Sequence, residues 1–100
     1  MIFKPLNIPT AATNNAIVAG SGVLHTIVVN FPVASATITV YDALTATGTK
    51  IATITLPATL LNQGPMYVNF DCIFAVGLTI VTTGTNFDIT VNYTKGIPLS

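Results

Sequence analysis

Arginine, glutamate and tryptophan are absent from this chain, and cysteine and histidine occur once each. Charge of either sign is scarce: 6% of the 100 residues are charged and 51% are hydrophobic, where a typical globular chain carries about 25% charge. The charged set is Lys4, Lys50, Lys95, Asp42, Asp71 and Asp88. Each shortage excludes something. Three scattered lysines without arginine make no basic stripe, so a phosphate backbone finds no clustered cations and nucleic acid is not an expected partner. A lone Cys72 permits no intrachain disulfide, so the fold does not rely on oxidation, which suits synthesis in the cytoplasm. No apolar run approaches the ~18 residues of a membrane span, and no membrane partner is expected. The opening stretch "MIFKPLNIPTAATNN" has one lysine, and Pro5 and Pro9 interrupt its apolar run, which makes a poor signal peptide.

What is abundant is threonine, valine and isoleucine, whose β-branched side chains favour strands. Helix formers are sparse and no 3.6-residue apolar stripe recurs. A chain of this length makes one domain and buries roughly 65% of its unfolded surface, enough for a single core. Residues 1–21 read as an extended N-terminal arm ending at Gly20-Ser21-Gly22, with a short strand possible within Ala16–Ala19. The body, 22–95, is predicted to hold six strands: Val23–Phe31, Thr37–Asp42, Ile51–Leu56, Met66–Ile73, Leu78–Thr83 and Phe87–Tyr93. Residues 96–100 form a short C-terminal tail.

Most of these strands alternate with period two. Ile38 and Val40 share a face, as do Ala52, Ile54 and Leu56, then Val68, Phe70 and Cys72, then Phe87, Ile89, Val91 and Tyr93. The strand Val23–Phe31 is apolar on both parities, and alternation puts His25 with Val23, Ile27, Val29 and Phe31, opposite Leu24 and Val28. Short alternating strands joined by Gly- and Pro-bearing links predict an all-β, antiparallel β-sandwich, jelly-roll-like by preference, with one or two extra strands from the N-terminal arm, and immunoglobulin-like as second choice.

Candidate chemistry is thin. His25 with Ser21 or Cys72 and an aspartate would be needed for a nucleophilic triad, and no nucleophile-elbow context surrounds them. A packed strand histidine is the plainer reading, and no catalytic residue is expected. One His and one Cys fall short of a zinc site, and Asp42, Asp71 and Asp88 lack calcium-loop spacing, so no metal or cofactor is expected. Asp42, at a strand end, reads as a turn cap acting through its backbone. Gly48-Thr49-Lys50 lacks the first glycine of a phosphate loop, and Gly20-Ser21-Gly22 runs into a strand where a dinucleotide fold needs a helix. Asn92-Tyr93-Thr94 matches a glycosylation sequon inside a strand and reads as coincidence. Cys72 reads as a small buried hydrophobe. Tyr41, Tyr67 and Tyr93 have rings that could anchor a partner or a sugar, but the chain has no tryptophan, so a small carbohydrate-binding module is the lesser alternative and the three read as rings packed at the core edge.

The order "GSGVLHTIVVN", "ITVYDALTATGTKIATI", "FAVGLTIVTTGTNFDITVNY" resembles small virion proteins of tailed bacteriophages over residues 20–94. The shared features are a Gly-rich entry to a Leu-His strand, a Tyr-Asp turn followed by Gly-Thr-Lys, and a Gly-Leu strand leading to Thr-Gly-Thr. The resemblance implies a β-sandwich on the capsid surface, of the head decoration (cement) kind or another virion component. It implies as partners the major capsid protein and copies of the chain itself, as a trimer. It implies no catalytic residue. The arm 1–19 lies outside the resemblance, and its Ile2, Phe3, Leu6 and Ile8 are too apolar for a free tail. They are expected to contact a neighbouring subunit or the capsid lattice, by strand addition or groove filling, with folding back over their own sandwich as the alternative.

Overall fold

The computed structural model describes residues 3–59 and 66–96. They form eight antiparallel strands: β1 (Lys4–Ile8), β2 (Ala12–Ala19), β3 (Gly22–Phe31), β4 (Thr37–Asp42), β5 (Thr49–Thr55), β6 (Met66–Phe74), β7 (Gly77–Thr83) and β8 (Asp88–Lys95). The protein is an all-β sandwich of two four-stranded sheets. The first has the order β1-β8-β3-β6, the second β2-β7-β4-β5. The pairings nest: β4 lies on β5, β3 on β6, β2 on β7 and β1 on β8. The chain is thus one long hairpin, turned at residues 43–48, whose two arms pass from sheet to sheet together. Two further pairings, β3 with β8 and β4 with β7, close each sheet.

The core lies between the sheets. Ile8, Leu24, Ile27, Val29, Ile89 and Val91 of the first sheet face Val18, Ile38, Val40, Leu78 and Ile80 of the second, with Phe74, Phe87 and Leu56 filling in around them. Polar groups inside are satisfied locally: the fully buried Thr79 hydroxyl donates to Ala43 O (2.9 Å) and accepts from Ala16 N–H (3.0 Å), and Thr82 accepts from Ala12 N–H (3.1 Å). The exception among the described residues is Asn14, whose amide nitrogen is buried with no hydrogen-bond partner among them.

The structure differs from the sequence reading at two places. The N-terminal residues supply two of the sandwich's strands, β1 and β2, one in each sheet, the upper end of the one or two expected from them; the boundary drawn at residue 21 therefore has no counterpart. Pro5 argues against a strand only in a sheet's interior. An edge strand needs hydrogen bonds on one side, and β1 pairs with β8 alone. The second difference is in β3. Leu24 faces Tyr93 and Thr26 faces Asn92, so β3 carries an extra residue there. That bulge resets the alternation: Leu24, Ile27 and Val29 all point inward, while His25 and Val28 are left on the outer face.

The bulges also explain how so uncharged a chain limits sheet-to-sheet pairing. All four edge strands are interrupted. β1 contains Pro5, and β2 bends at Ala16 (φ 47°) where its register shifts. β5 shifts register beside Lys50, and β6 shifts at Asp71 (φ 46°). Irregular edges of this kind block strand addition where charge is not used.

Candidate functional site

Of the candidate residues, His25 and Asp71 meet on the outer face of the first sheet. At the β6 bulge two residues, Phe70 and Asp71, stand opposite His25 alone. The left-handed backbone at Asp71 turns its carboxylate toward the imidazole, and His25 Nδ1 donates to Asp71 Oδ1. Phe3, just ahead of β1, stacks on the imidazole with ring centroids 4.3 Å apart and planes 9° from parallel. Cys72 follows Asp71 in sequence but pairs with Leu24 and turns toward the core, so the sheet separates its thiol from His25. Ser21 lies in the turn before β3, its carbonyl accepting Gly96 N–H (2.8 Å). The structure therefore joins His25 with Asp71 and Phe3, and joins neither Ser21 nor Cys72 to them. This arrangement ties the start of β1 across the sheet to β3 and β6.

Cys72 is half-buried, where full burial was expected, because β6 is an edge strand with nothing packed on its outer flank among the described residues. Partial burial raises its thiol pKa, and the negative charges of Asp42 and Asp71 push it the same way.

Asp42 pairs with Thr49 at the base of its own turn. Its side chain reaches the β6–β7 turn and accepts three successive backbone N–H groups. Oδ1 takes Val76 (2.8 Å), Ala75 (3.1 Å) and Gly77 (3.3 Å), and Oδ2 takes Ala75 (3.0 Å). Burial pushes this carboxyl's pKa upward, but the three backbone donors outweigh that and leave it below its ordinary value.

A third polar group sits farther along the first sheet's outer face, and sequence reasoning missed it. Asn7 of β1 and Asn30 of β3 flank β8 and both donate to Asp88 Oδ1, at 2.7 and 3.1 Å. Both also reach Thr90 Oγ1, at 3.4 and 2.8 Å, and Asn7 donates to Ile89 O at 3.0 Å. No local signal marks this cluster, because Asn7 and Asp88 are 81 positions apart and meet only through the β1·β8 ladder.

The expected contact residues of the arm are placed as follows. Ile8 is 3% exposed and belongs to the core, Leu6 is half-buried against it, and Phe3 covers His25. Ile2 lies outside the described residues. Ile8 and Leu6 are thus taken up by their own sandwich, because β1 pairs with β8 and their parity points inward. Among the tyrosines, Tyr93 packs against the core as expected, while Tyr67 is 67% exposed on edge strand β6.

The outer face of the second sheet is of another kind. Register places Thr83, Thr37 and Thr55 in one row across β7, β4 and β5. The next row runs Thr13, Val81, Thr39 and Thr53 across all four strands. Asp42 and Lys50 are the only charged residues in these strands, and both lie toward one end.

The fold and its surfaces define a small antiparallel β-sandwich protein with one neutral threonine face and one face bearing polar clusters. No family model matches the chain, nor does any curated protein or any solved structure.

Proposed function

We propose that this chain is a structural protein of a bacteriophage particle, a capsid decoration protein that stabilises the head shell by bridging capsomers. The nested strand pairing supports a finer reading of the sandwich as a jelly roll, a hairpin rolled into two sheets. The observation that carries the functional reading is the threonine face of the second sheet. Its two rows, Thr83–Thr37–Thr55 and Thr13–Val81–Thr39–Thr53, keep strand propensity and hydrogen-bonding capacity while presenting almost no charge. Such a face docks on protein without stripping water from ions, which is the large cost of burying charged surface. A bound subunit favours the assembled shell by mass action, since it binds that state and not its separated parts. Trimers at local three-fold positions match the shell's symmetry. The partners are then the major capsid protein and copies of the chain, and the location is the virion surface after synthesis in the host cytoplasm.

The test places a charge at the centre of the face. Thr39→Lys and Thr53→Glu alter exposed or half-buried side chains and should leave the isolated chain's melting temperature nearly unchanged. Each should abolish cosedimentation with phage particles. Full-occupancy binding by both variants overturns the docking face. Copy number decides between the head and the alternative placement, a tail, neck or fibre component or a host-surface adhesin: hundreds of copies per particle mean decoration, a dozen or fewer the alternative.

A further inference from the structure

We propose that the cluster of Asn7, Asn30, Asp88 and Thr90, with the ring of Phe31 beside it, is a binding patch for a neutral saccharide. Phe31 lies directly across from Asp88, although Val29, two residues earlier, lies across from Ile89. The extra residue, Asn30, turns Phe31 out of the core sequence of parities and onto the outer face with Asp88. There it is 59% exposed, one of the most exposed large apolar side chains among the described residues. A solvent-facing phenyl ring beside an ordered polar network offers a ligand an apolar surface to stack on next to hydrogen-bonding groups.

The hydrogen bonds within the cluster fix what it can accept. Both amide nitrogens are spent on Asp88 Oδ1 and Thr90 Oγ1, with a further bond from Asn7 to Ile89 O. What remains for a ligand is the second carboxylate oxygen of Asp88, the two amide oxygens and the Thr90 hydroxyl proton. This set is rich in acceptors, so it suits a ligand with several hydroxyl donors. The three lysines are elsewhere: Lys4 pairs with Tyr93, Lys95 with Gly22 and Lys50 with Tyr41. An anion therefore finds no counter-charge here. One carboxylate is too little for a divalent cation, which takes six or more oxygens and usually several charges. A pyranose ring fits both halves of the patch: hydroxyls toward Asp88 and the amides, and its apolar C–H face on Phe31.

The polar groups stand on three adjacent strands and are held by one another, so little ordering cost falls on binding. The patch is shallow, since the described residues enclose no cavity. Weak binding of a single sugar ring would be converted into firm attachment by many copies on one scaffold, through effective concentration.

The test uses the isolated full chain, so its outcome is independent of the particle reading. The ¹⁵N-labelled protein is titrated with glucose, galactose, mannose and N-acetylglucosamine, and separately with calcium chloride alone. At least one sugar should give saturable shifts confined to Asn7, Asn30, Phe31, Asp88 and Thr90 and their neighbours. Phe31→Ala, outside the core and so without effect on folding, should weaken that sugar by about tenfold, while Phe31→Tyr retains it. The proposal is overturned by no saturable shift with any sugar, by sugar shifts indifferent to Phe31→Ala, or by shifts from calcium alone with none from the sugars.

Discussion

Removing the Asp42 carboxylate should unlock one end of the sandwich. In the folded chain it collects the N–H groups of Ala75, Val76 and Gly77, three successive residues at the β6–β7 turn. Three charge-assisted bonds invite a large figure, but the three donors are not equivalent. Ala75 and Val76 are exposed, so water takes their N–H groups once the carboxylate is gone, and their net contribution is small. Gly77 is buried: a Cβ there would meet Leu44 Cδ2 at 2.8 Å, Ala43 O at 2.9 Å and Val18 O at 2.9 Å. Its N–H is left dry, at a cost of about 1–3 kcal/mol. Asp42→Ala is therefore expected to lose about 2 kcal/mol at neutral pH, and Asp42→Asn about 1 kcal/mol, since the amide oxygen still accepts. The sign with pH follows from the lowered pKa. A carboxylate bound more firmly in the fold contributes its full stability above the unfolded value, and that contribution is lost as pH falls from about 4 through the lower folded value. Urea unfolding of wild type and both variants, at neutral pH and at successively lower pH, measures this. The gap between wild type and Asp42→Asn should close on acidification. Equal midpoints at neutral pH, or a gap that persists in acid, would refute the cap.

Ile8→Ala should cost about 2–4 kcal/mol by emptying a buried site, and deletion of residues 2–9 should lower the melting temperature sharply because β1 leaves the sheet. A truncated chain that melts like the full one would return this segment to the role of a free arm. Cys72 should react slowly with a thiol reagent at neutral pH and faster as pH rises, because its raised pKa keeps the thiolate scarce; rapid neutral labelling would contradict this. Asn14→Leu should raise stability by about 1 kcal/mol, since it removes a buried amide nitrogen without a partner among the described residues; a lower denaturation midpoint for the variant would show that the amide is satisfied.

The sequence carries the second half of the fold clearly and the first part poorly. Thr37–Asp42 is bounded as expected, and β6, β7 and β8 differ by a residue or two. In β4, β6 and β8 alternation alone sorts inward from outward residues, whereas in β7 Thr79 is buried on the parity opposite Leu78 and Ile80. β1 and the first half of β2 are not bounded in the sequence, for local reasons. Pro5, Pro9 and Gly20 punctuate the region, and the bulge at Ala16 breaks the alternation of β2. The orientation of His25 is misread for a related reason. A single inserted residue reverses every later side chain, and β3 is apolar enough on both sides to hide the reversal. The polar sites are less legible still. Asp42 meets residues 33 to 35 positions away, and Asn30 meets Asp88 at a separation of 58, so neither contact leaves a spacing motif to find.

The nesting of the strand pairs bears on how the chain reaches its fold. Pairings as remote as Asn7 with Asp88, 81 positions apart, would ordinarily make folding slow, because loop-closure entropy is lost before any contact compensates. Here each outer pair forms on ends already drawn together by the pair inside it. Once β4 lies on β5, β3 and β6 have only their flanking links to close, then β2 and β7, then β1 and β8. Assembly can run as a zipper from the turn at 43–48 outward, and the remote contact becomes the last of several short steps. Substitutions at Ile38 and Ile54, which pair within the innermost hairpin, should then slow folding, whereas those at Leu6 and Ile8 should mainly speed unfolding. The reverse pattern would mean that the two ends of the chain meet first.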